Sequence, residues 1–266
     1  MPENYFFEFA ETKIRVHPSW VPIFSENQEK LQEIGERIKG EDFEPPPERV
    51  FVIFQKPKAS RRIIIMGQDP YPQPGTATGR SFEVKGYESW QEKTKNASLR
   101  NILKELYRES RRLKSCPSLR EVRQNLPQVP EILPPAELFQ AWEKQGVFFL
   151  NTALTVRKGE PGSHQQLWQG FIRAVIVALA GSAQQKYWLL WGRKAQKYSD
   201  LIRAEGRVDL EKPEGEKKRK NMIITAPHPS RYDFVGSGTF SYPAIREVCL
   251  HQGGEDSARQ SATTIL

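Results

Sequence analysis

Four short hydrophobic runs along the chain predict buried β-strands. Each run is four or five residues long, is rich in β-branched or aromatic residues, and is bounded by polar or turn-forming residues. This pattern is typical of strands that are buried on both faces of a parallel sheet. The four runs are Ile63–Met66, Val147–Leu150, Tyr187–Trp191 and Met222–Thr225.

Amphipathic segments between and around these runs predict helices. In the first of them, Leu31, Ile34 and Ile38 recur at helical spacing. The prolines at 45–47 predict a loop that enters a helix at its first turn. Strands that alternate with helices predict an α/β fold, a three-layer sandwich whose central four-stranded, mainly parallel sheet is flanked by helices. The predicted helices are Glu26–Ile38, Ser98–Arg111, Leu167–Ala180, Lys194–Ile202 and Ala244–Leu250.

The chain of 266 residues shows no repeat and no long low-complexity linker, so we expect one domain over residues 1–251. Residues 252–266 are small and polar with little periodicity, and we expect a flexible C-terminal tail there. Residues 211–220 are dense in Glu and Lys. This segment is predicted to be a solvated loop, and a DNA-contacting loop is the alternative.

Composition excludes several classes of protein without naming a function. A net charge of +8 is compatible with a polyanionic partner but does not require one. Two cysteines cannot form a disulfide framework, so an intracellular reducing compartment, cytoplasmic or nuclear, is expected. No apolar stretch approaches the ~18 residues of a membrane helix, and the acidic start does not resemble a secretory signal.

Polar, Gly- or Pro-containing segments follow each of the four predicted strands. In open α/β sheets, ligands bind in the crevice at the carboxyl ends of the strands. We therefore expect Asp69, Tyr71, Asn151 and His228 to lie near one common pocket.

The same segments carry motifs that resemble the main uracil-DNA glycosylase family. They are GQDPY at 67–71, Phe82, SLRNILKEL at 98–106, LNTALTV at 150–156, SH at 163–164, LLWG at 189–192 and HPS at 228–230, and the resemblance runs from about Trp20 to about Val248. GQDPY followed by HPS in this order is a specific signal. A second HPS, at 17–19, follows no predicted strand and is given no role.

The resemblance implies the activity and the partner. Members of this family excise uracil from DNA, single- or double-stranded, by cleaving the N-glycosidic bond after flipping the nucleotide out of the stack. The resemblance also implies that the protein uses no cofactor and no metal, and we expect it to be a monomer.

The resemblance assigns the catalytic roles to Asp69 and His228. A carboxylate stabilises the oxocarbenium-like sugar and orients the attacking water, whereas a neutral imidazole donates to O2 of the departing uracil. Taken alone, Asp69 before Pro70 is more often a turn-forming residue, and a lone histidine is more often a loop residue satisfied by backbone.

Four further residues are expected to bind the base. The Asn151 amide offers a donor and an acceptor that match N3–H and O4 of uracil, although an asparagine also commonly ends a strand. Tyr71 resembles the family tyrosine that excludes the thymine methyl group, and Phe82 would stack on the base; core packing is the alternative for both. Gln68 lies within the same motif.

The predicted DNA-binding residues belong to three loops. Phosphate contacts are implied for Ser98, Gly192 and Ser230, and Ser98 is also a plausible N-cap of its helix. Arg231 and Tyr232 follow HPS, where the family usually has Pro-Leu, so Tyr232 is the candidate for filling the vacated base position.

The chain departs from the family at Pro72, where a histidine that helps to hold the water usually follows GQDPY. Gln73, Thr78 and the segment WQEKTKNA before Ser98 also differ. The leading hypothesis is a monofunctional uracil-DNA glycosylase of base excision repair. The alternatives are a non-catalytic or weakly catalytic DNA-binding member of the superfamily, and a glycosylase with a shifted damaged-base preference.

Overall fold

The computed structural model describes residues 5–94, 96–206 and 221–250. Their strands are β1 (Tyr5–Phe9), β2 (Thr12–Val16), β3 (Phe43–Glu44), β4 (Ile63–Gly67), β5 (Val147–Asn151), β6 (Val156–Arg157), β7 (Tyr187–Trp191) and β8 (Met222–Ala226). Their α-helices are α1 (Val21–Glu26), α2 (Gln28–Ile38), α3 (Pro47–Val50), α4 (Ala97–Ser110), α5 (Leu119–Asn125), α6 (Pro135–Lys144), α7 (Gln165–Ala180), α8 (Arg193–Gln196), α9 (Ser199–Glu205) and α10 (Pro243–Leu250).

The four predicted strands form the central sheet, in the order β5-β4-β7-β8, and every neighbouring pair is parallel. The prediction of an α/β fold with a four-stranded sheet flanked by helices is confirmed. Three of the strands extend one residue beyond the predicted run, to Gly67, Asn151 and Ala226. All four strands therefore end at the same edge of the sheet.

Adjacent phenylalanines of β5 show why helices cover both faces of the sheet. Successive strand residues point to opposite faces. Phe148 stacks on Trp20 with ring centroids 5.3 Å apart. Phe149 packs on Phe139 of α6 on the other face, at 5.3 Å. Each face of the sheet thus buries its own aromatic layer.

Several elements were not predicted from the sequence. β1 and β2 form an antiparallel hairpin, and β3 pairs with β6. α5 and α6 were also missed, although Ser118 opens α5 with a capping box that includes Glu121. The capping box is a local signal that sequence reasoning could have used.

The predicted helices are present with altered bounds. The helix predicted at Lys194–Ile202 is wrong as a single element, because α8 ends at Gln196 and α9 begins at Ser199. The prolines at 45–47 lead into α3, with Pro47 at its first position. The predicted loop at 211–220 and the predicted tail at 252–266 lie outside the described residues. Within the described ranges, none of the helices combines the length and the apolar character needed to cross a membrane.

Candidate active site

Gly67, the last residue of β4, brings two predicted base-binding residues together. It is paired in register with Asn151 at the end of β5. A Cβ atom at Gly67 would lie 2.5 Å from Asn151 Oδ1 and 3.2 Å from Phe82 Cζ. A glycine inside a strand often marks a close approach of this kind. The missing side chain leaves the space that the Asn151 amide and the Phe82 ring share.

Phe82 lies between the asparagine and the predicted catalytic histidine. Its ring is 5.1 Å from that of Trp191 and 5.8 Å from that of His228. Its backbone has φ +66°, which is costly for a residue with a bulky side chain. A strained backbone thus holds the aromatic ring beside the imidazole.

The hydrogen bonds of His228 fix which ring nitrogen carries the proton. The backbone N–H of Ser230 donates to Nδ1 at 3.2 Å, and the Ser230 hydroxyl lies 2.8 Å from the same atom. Because a backbone N–H can only donate, Nδ1 is an acceptor and the neutral ring carries its proton on Nε2. Burial lowers the pKa of His228 below its usual value, and the nearby Asp69 charge opposes this effect. The site therefore favours a neutral imidazole with an Nε2–H donor.

Gly192 lets the His228 loop approach the end of β7. It has φ +89°, and a Cβ atom there would lie 3.0 Å from His228 Cβ. Its backbone N–H donates to the Ala226 carbonyl at 3.0 Å. This N–H, for which the sequence implied a phosphate contact, is therefore engaged within the protein, and the geometry assigns Gly192 a role in packing the two loops.

The Asp69 carboxylate is held by two donors from one segment. Gly162 donates its backbone N–H to Oδ2 at 2.7 Å, and Gln165 donates its side-chain amide to Oδ1 at 3.4 Å. Gly162 also lies beside Gln68, since a Cβ atom there would be 3.9 Å from Gln68 Nε2. Asp69 and Gln68 are thus placed against the start of α7. Against the lowering by burial, the negative charge of Asp69 raises the pKa of His228.

Tyr71 is tied to the residues around it by its hydroxyl. This hydroxyl lies 3.3 Å from the Phe82 carbonyl and 3.3 Å from Asn96 Oδ1. Burial raises the pKa of Tyr71 to about 12, so the phenol stays protonated at neutral pH. These contacts fix the ring in place rather than leaving it free to move.

The N-cap predicted at Ser98 is wrong. α4 begins at Ala97, and its cap is Asn96, whose Oδ1 accepts the Leu99 N–H at 3.0 Å. Ser98 lies one residue inside the helix, is only 5% exposed, and interacts with Tyr71. An asparagine serves as an N-cap as well as a serine does, and the two positions are too close in sequence to separate by pattern.

Three of the predicted DNA-binding residues, Gly192, Ser230 and Arg231, line an open cleft next to the imidazole, whereas Ser98 and Tyr232 are not part of its lining. The cleft has a volume of about 730 Å³ and includes Gln68, Gly192, His228, Ser230 and Arg231 in its lining. Two exposed cations, Arg193 and Lys194, extend the same surface. The cleft is therefore positively charged beside the predicted catalytic groups.

Tyr232 projects from the loop that follows HPS. It is 85% exposed, whereas Phe234, two residues later, is fully buried with its ring 5.1 Å from that of Trp191. Arg231 forms a bidentate ion pair with Asp233, at 3.0 and 2.9 Å. The loop thus presents one large aromatic side chain to solvent between paired charges.

Two residues of α4 that the sequence prediction did not single out support this loop. Asn101 donates its amide to the carbonyls of Pro229 and Arg231, at 2.7 and 2.9 Å. Glu105 is fully buried and accepts the backbone N–H groups of Gly236 and Gly238, at 2.6 and 2.9 Å. A glutamate on the apolar face of a predicted helix was the signal that could have identified Glu105.

Other predicted features lie away from the cleft. The two ring nitrogens of His164 are both engaged: Nδ1 lies 2.9 Å from the Thr155 hydroxyl, which accepts from Trp168, and Nε2 lies 3.0 Å from Glu41 Oε2. His17 of the second HPS motif accepts the Ser19 N–H and caps a short 3₁₀ turn. Within residues 5–94, 96–206 and 221–250, no group of three or more His, Cys, Asp or Glu side chains is arranged to hold a metal ion. Cys116 and Cys249 are both free thiols.

Solved structures support the fold. The UNG crystal structure from Nitratifractor salsuginis matches 88% of this chain and 92% of that chain with a TM-score of 0.66 and 21% identity. The mimivirus uracil-DNA glycosylase matches 81% of this chain and 69% of that chain, with a TM-score of 0.58 and 24% identity.

Sequence comparison shows a likeness to uracil-DNA glycosylases over most of the chain. The uracil-DNA glycosylase of Equine herpesvirus 1 is 34% identical over 233 residues, which are 84% of this chain and 62% of that protein. The chain thus spans less than two thirds of this relative. The uracil-DNA glycosylase of Corynebacterium glutamicum is 33% identical over 198 residues, which are 71% of this chain and 76% of that protein.

A family profile covers the four sheet strands and the loops that follow them. The profile of the uracil DNA glycosylase superfamily matches residues 54–240, which include β4, β5, β7, β8 and the loop that carries Tyr232. On this match, the chain belongs to the uracil-DNA glycosylase superfamily.

Proposed function

We propose that this protein removes uracil from DNA by hydrolysing the N-glycosidic bond, as a monofunctional enzyme of base excision repair. The observation that carries the proposal is the cluster of Asn151, Phe82 and His228 at the edge of the sheet, with Asp69 close enough to influence the imidazole. Chemistry on a base requires that the nucleotide leave the stack, and these side chains are the ones that would contact the extruded uracil.

Base selection rests on Asn151, Tyr71, Phe82 and Gln68. The Asn151 amide donates to O4 and accepts from N3–H of uracil, whereas cytosine presents the reversed pattern. The half-buried, hydrogen-bonded Tyr71 ring is rigid, which suits it to exclude a methyl group on C5. Stacking of the base on Phe82 contributes ~1–3 kcal/mol.

Bond cleavage uses the two ends of the cluster. As the bond between C1′ and N1 breaks, its electrons pass to uracil, and His228 Nε2–H donates a hydrogen bond to the negative O2. The Asp69 carboxylate stabilises the positive sugar and orients a water that attacks C1′. The water loses its proton to the carboxylate, and the uracil anion takes up a proton from solvent.

DNA binding involves the open cleft and the loop after HPS. The Ser230 hydroxyl and the Arg231 guanidinium reach phosphates, Gly192 packs the loop that supports them, and Tyr232 enters the space that the base vacates. Ser98 is buried beside Tyr71 in the first turn of α4, so its contribution to DNA binding is through the position of that turn. The protein acts as a monomer of one domain on single- or double-stranded DNA, in an intracellular reducing compartment, cytoplasmic or nuclear, and needs no cofactor.

Release of uracil from a single-stranded dU oligonucleotide tests the proposal. The wild-type protein should release uracil in multiple turnovers. A double variant with Asp69→Asn and His228→Ala is the control for the background. Release by the wild type that does not exceed the release by this variant would reject the proposed activity.

Pro72, together with the altered DNA-contacting loops, favours the alternative of a weakly catalytic or non-catalytic DNA-binding member. Its ring offers no hydrogen-bond donor next to Asp69, and its carbonyl accepts the Gly159 N–H at 2.9 Å. The uracil-release assay distinguishes this candidate from an active glycosylase, because a protein that only binds DNA would retain the oligonucleotide without rapid turnover. A panel of oligonucleotides with other damaged bases tests the third candidate, a shifted base preference.

A further inference from the structure

The Asp69 carboxylate is held by donors that GQDPY itself does not provide. Oδ2 accepts the Gly162 N–H at 2.7 Å, and Oδ1 accepts the Gln165 side-chain amide at 3.4 Å. Gln165 is the first residue of α7, a helix that is far from β4 in the sequence. The carboxylate is therefore oriented across a separation of almost one hundred residues, since Asp69 and Gln165 are 96 positions apart.

The orientation of the Gln165 amide is determined by its two partners. A carboxylate can only accept and an ammonium group can only donate, so the NH₂ end faces Asp69 and the oxygen faces Lys194. Lys194 Nζ donates to Gln165 Oε1 at 3.1 Å. If the amide turned over, both contacts would become repulsive, so Lys194 keeps the donor directed at Asp69.

Lys194 lies in α8, directly after the Gly192 turn that packs against His228. The hydrogen-bond chain from Lys194 through Gln165 to Asp69 therefore joins the β7 side of the cleft to the β4 side. We propose that Gln165, held in one orientation by Lys194, is a positioning residue that fixes the Asp69 carboxylate for catalysis. The inference rests on the proposed excision of uracil, and it assigns a role to two side chains that are not among the predicted catalytic and base-binding residues.

The physical reason is the precision that the reaction demands. The carboxylate has to face both the sugar and the attacking water, and loss of orientation by about 1 Å costs a large factor in rate. The Gly162 N–H alone fixes only Oδ2 of Asp69, so the carboxylate could still rotate about the Cβ–Cγ bond. The second donor, on the other oxygen, removes that freedom.

Gln165→Met tests the contact because it keeps the length of the side chain and removes the donor. Single-turnover excision at saturating enzyme should fall about tenfold, the lower end for loss of a hydrogen bond to a charged group. KM should change less than twofold. Gln169→Met, on an exposed position one helical turn later, is the matched control and should match wild type. Thermal melting of both variants shows whether the fold is intact.

Rescue separates positioning from a structural role. In a Lys194→Met background, Gln165→Lys restores a donor to Asp69 without repulsion between two ammonium groups. This double variant should recover to within about threefold of wild type. Lys194→Met combined with Gln165→Met should be no slower than Gln165→Met alone, because Lys194 acts on the chemical step through the amide.

Each outcome decides the matter. A Gln165→Met rate within twofold of wild type, an additive loss in the Lys194→Met and Gln165→Met double variant, or no rescue by lysine would overturn the positioning role while leaving the excision activity standing. Absence of uracil release by the wild type would overturn the proposed function and this inference together.

Discussion

His228 illustrates how a local hydrogen bond sets the chemistry of one residue. The Ser230 N–H occupies Nδ1, so adding a proton there replaces an attraction by a clash between two donors. Burial lowers the pKa of His228 from its ordinary value of 6.5 in the same direction. Both effects keep the ring neutral through the physiological range.

The pH dependence of excision follows from this neutral state. The single-turnover rate should be constant at neutral pH and should fall as the pH drops through the lowered pKa of His228, with a midpoint below 6.5, because a proton on Nδ1 breaks the hydrogen bond from the Ser230 N–H that holds the ring in place. His228→Ala should lower the rate at neutral pH by about 10²–10³ because the donor to O2 is lost. The residual rate of the His228→Ala variant should no longer fall at the pKa of His228. A midpoint above 6.5 in the wild type would contradict the assignment of a neutral imidazole.

Gly192 allows a test of the space beside His228. Gly192→Ala would place a methyl group 3.0 Å from His228 Cβ, so the loop has to shift and the excision rate should fall at least tenfold. Gly86→Ala is the matched control, because Gly86 also has a positive φ, +70°, but nothing lies within 4 Å of its added Cβ. The control shares the backbone strain and should keep its rate; equal losses in both variants would show that strain alone is responsible.

At the scale of elements, a buried ion cluster holds the turn that carries Phe82. Arg80 pairs with Glu83 at 3.0 Å and with Glu143 of α6 at 2.8 Å, and all three side chains are 11% exposed or less. Arg80 and Glu83 lie on either side of Phe82 in sequence, and the pair between Arg80 and Glu143 anchors this positive-φ backbone to α6. Strained residues persist where the surrounding structure holds them in this way.

Arg80→Met should therefore lower the free energy of unfolding by about 3–5 kcal/mol, since two carboxylates are left buried without their partner. Urea denaturation gives this value directly. Arg203→Met provides the comparison, because its ion pair with Asp200 is largely exposed and should contribute less than about 1 kcal/mol. Similar losses in the two variants would contradict the importance of burial.

Some elements could be predicted from the sequence and others could not, because only some of them carry a local pattern of apolar and turn-forming residues. The sheet strands were predictable because each is a continuous apolar run between polar turns. The β1–β2 hairpin was not, because its turn residues Ala10 and Glu11 have φ of +45° and +61° although neither is Gly, Asn or Asp. The motif residues were placed by resemblance, whereas Gln165 lies outside the quoted motifs and its role depends on a contact that is distant in sequence. Asn101 lies within a quoted motif, but its contacts with the loop after HPS were not predicted.

At the scale of the whole molecule, charge and one exposed aromatic govern the encounter with DNA. The net charge of +8 and the cations of the cleft predict that DNA affinity falls linearly on a logarithmic plot against salt concentration. Asp233, which pairs with Arg231 beside the cleft, works against this attraction. Asp233→Asn should therefore tighten DNA binding and steepen the salt dependence, measured by fluorescence anisotropy with a labelled duplex; weaker binding would contradict the placement of DNA in the cleft.

Loss of the Tyr232 side chain should affect excision from double-stranded DNA more than excision from single-stranded DNA. Filling a gap in a base stack matters only where a stack exists, so Tyr232→Ala should reduce excision from a duplex more than tenfold and from a single strand less than threefold. Tyr242→Ala, at another exposed tyrosine outside the cleft, should leave both rates unchanged. Equal losses on both substrates would assign Tyr232 to general binding instead.

The most direct test of the central claim is the single-turnover rate of uracil release from one dU oligonucleotide, measured for wild type and for Asp69→Asn. The wild type should release uracil, and the rate should fall by about a hundredfold or more when the carboxylate that faces the sugar becomes an amide. A wild type that releases no uracil, or an Asp69→Asn variant that releases it at the wild-type rate, would contradict a site built around one extruded base.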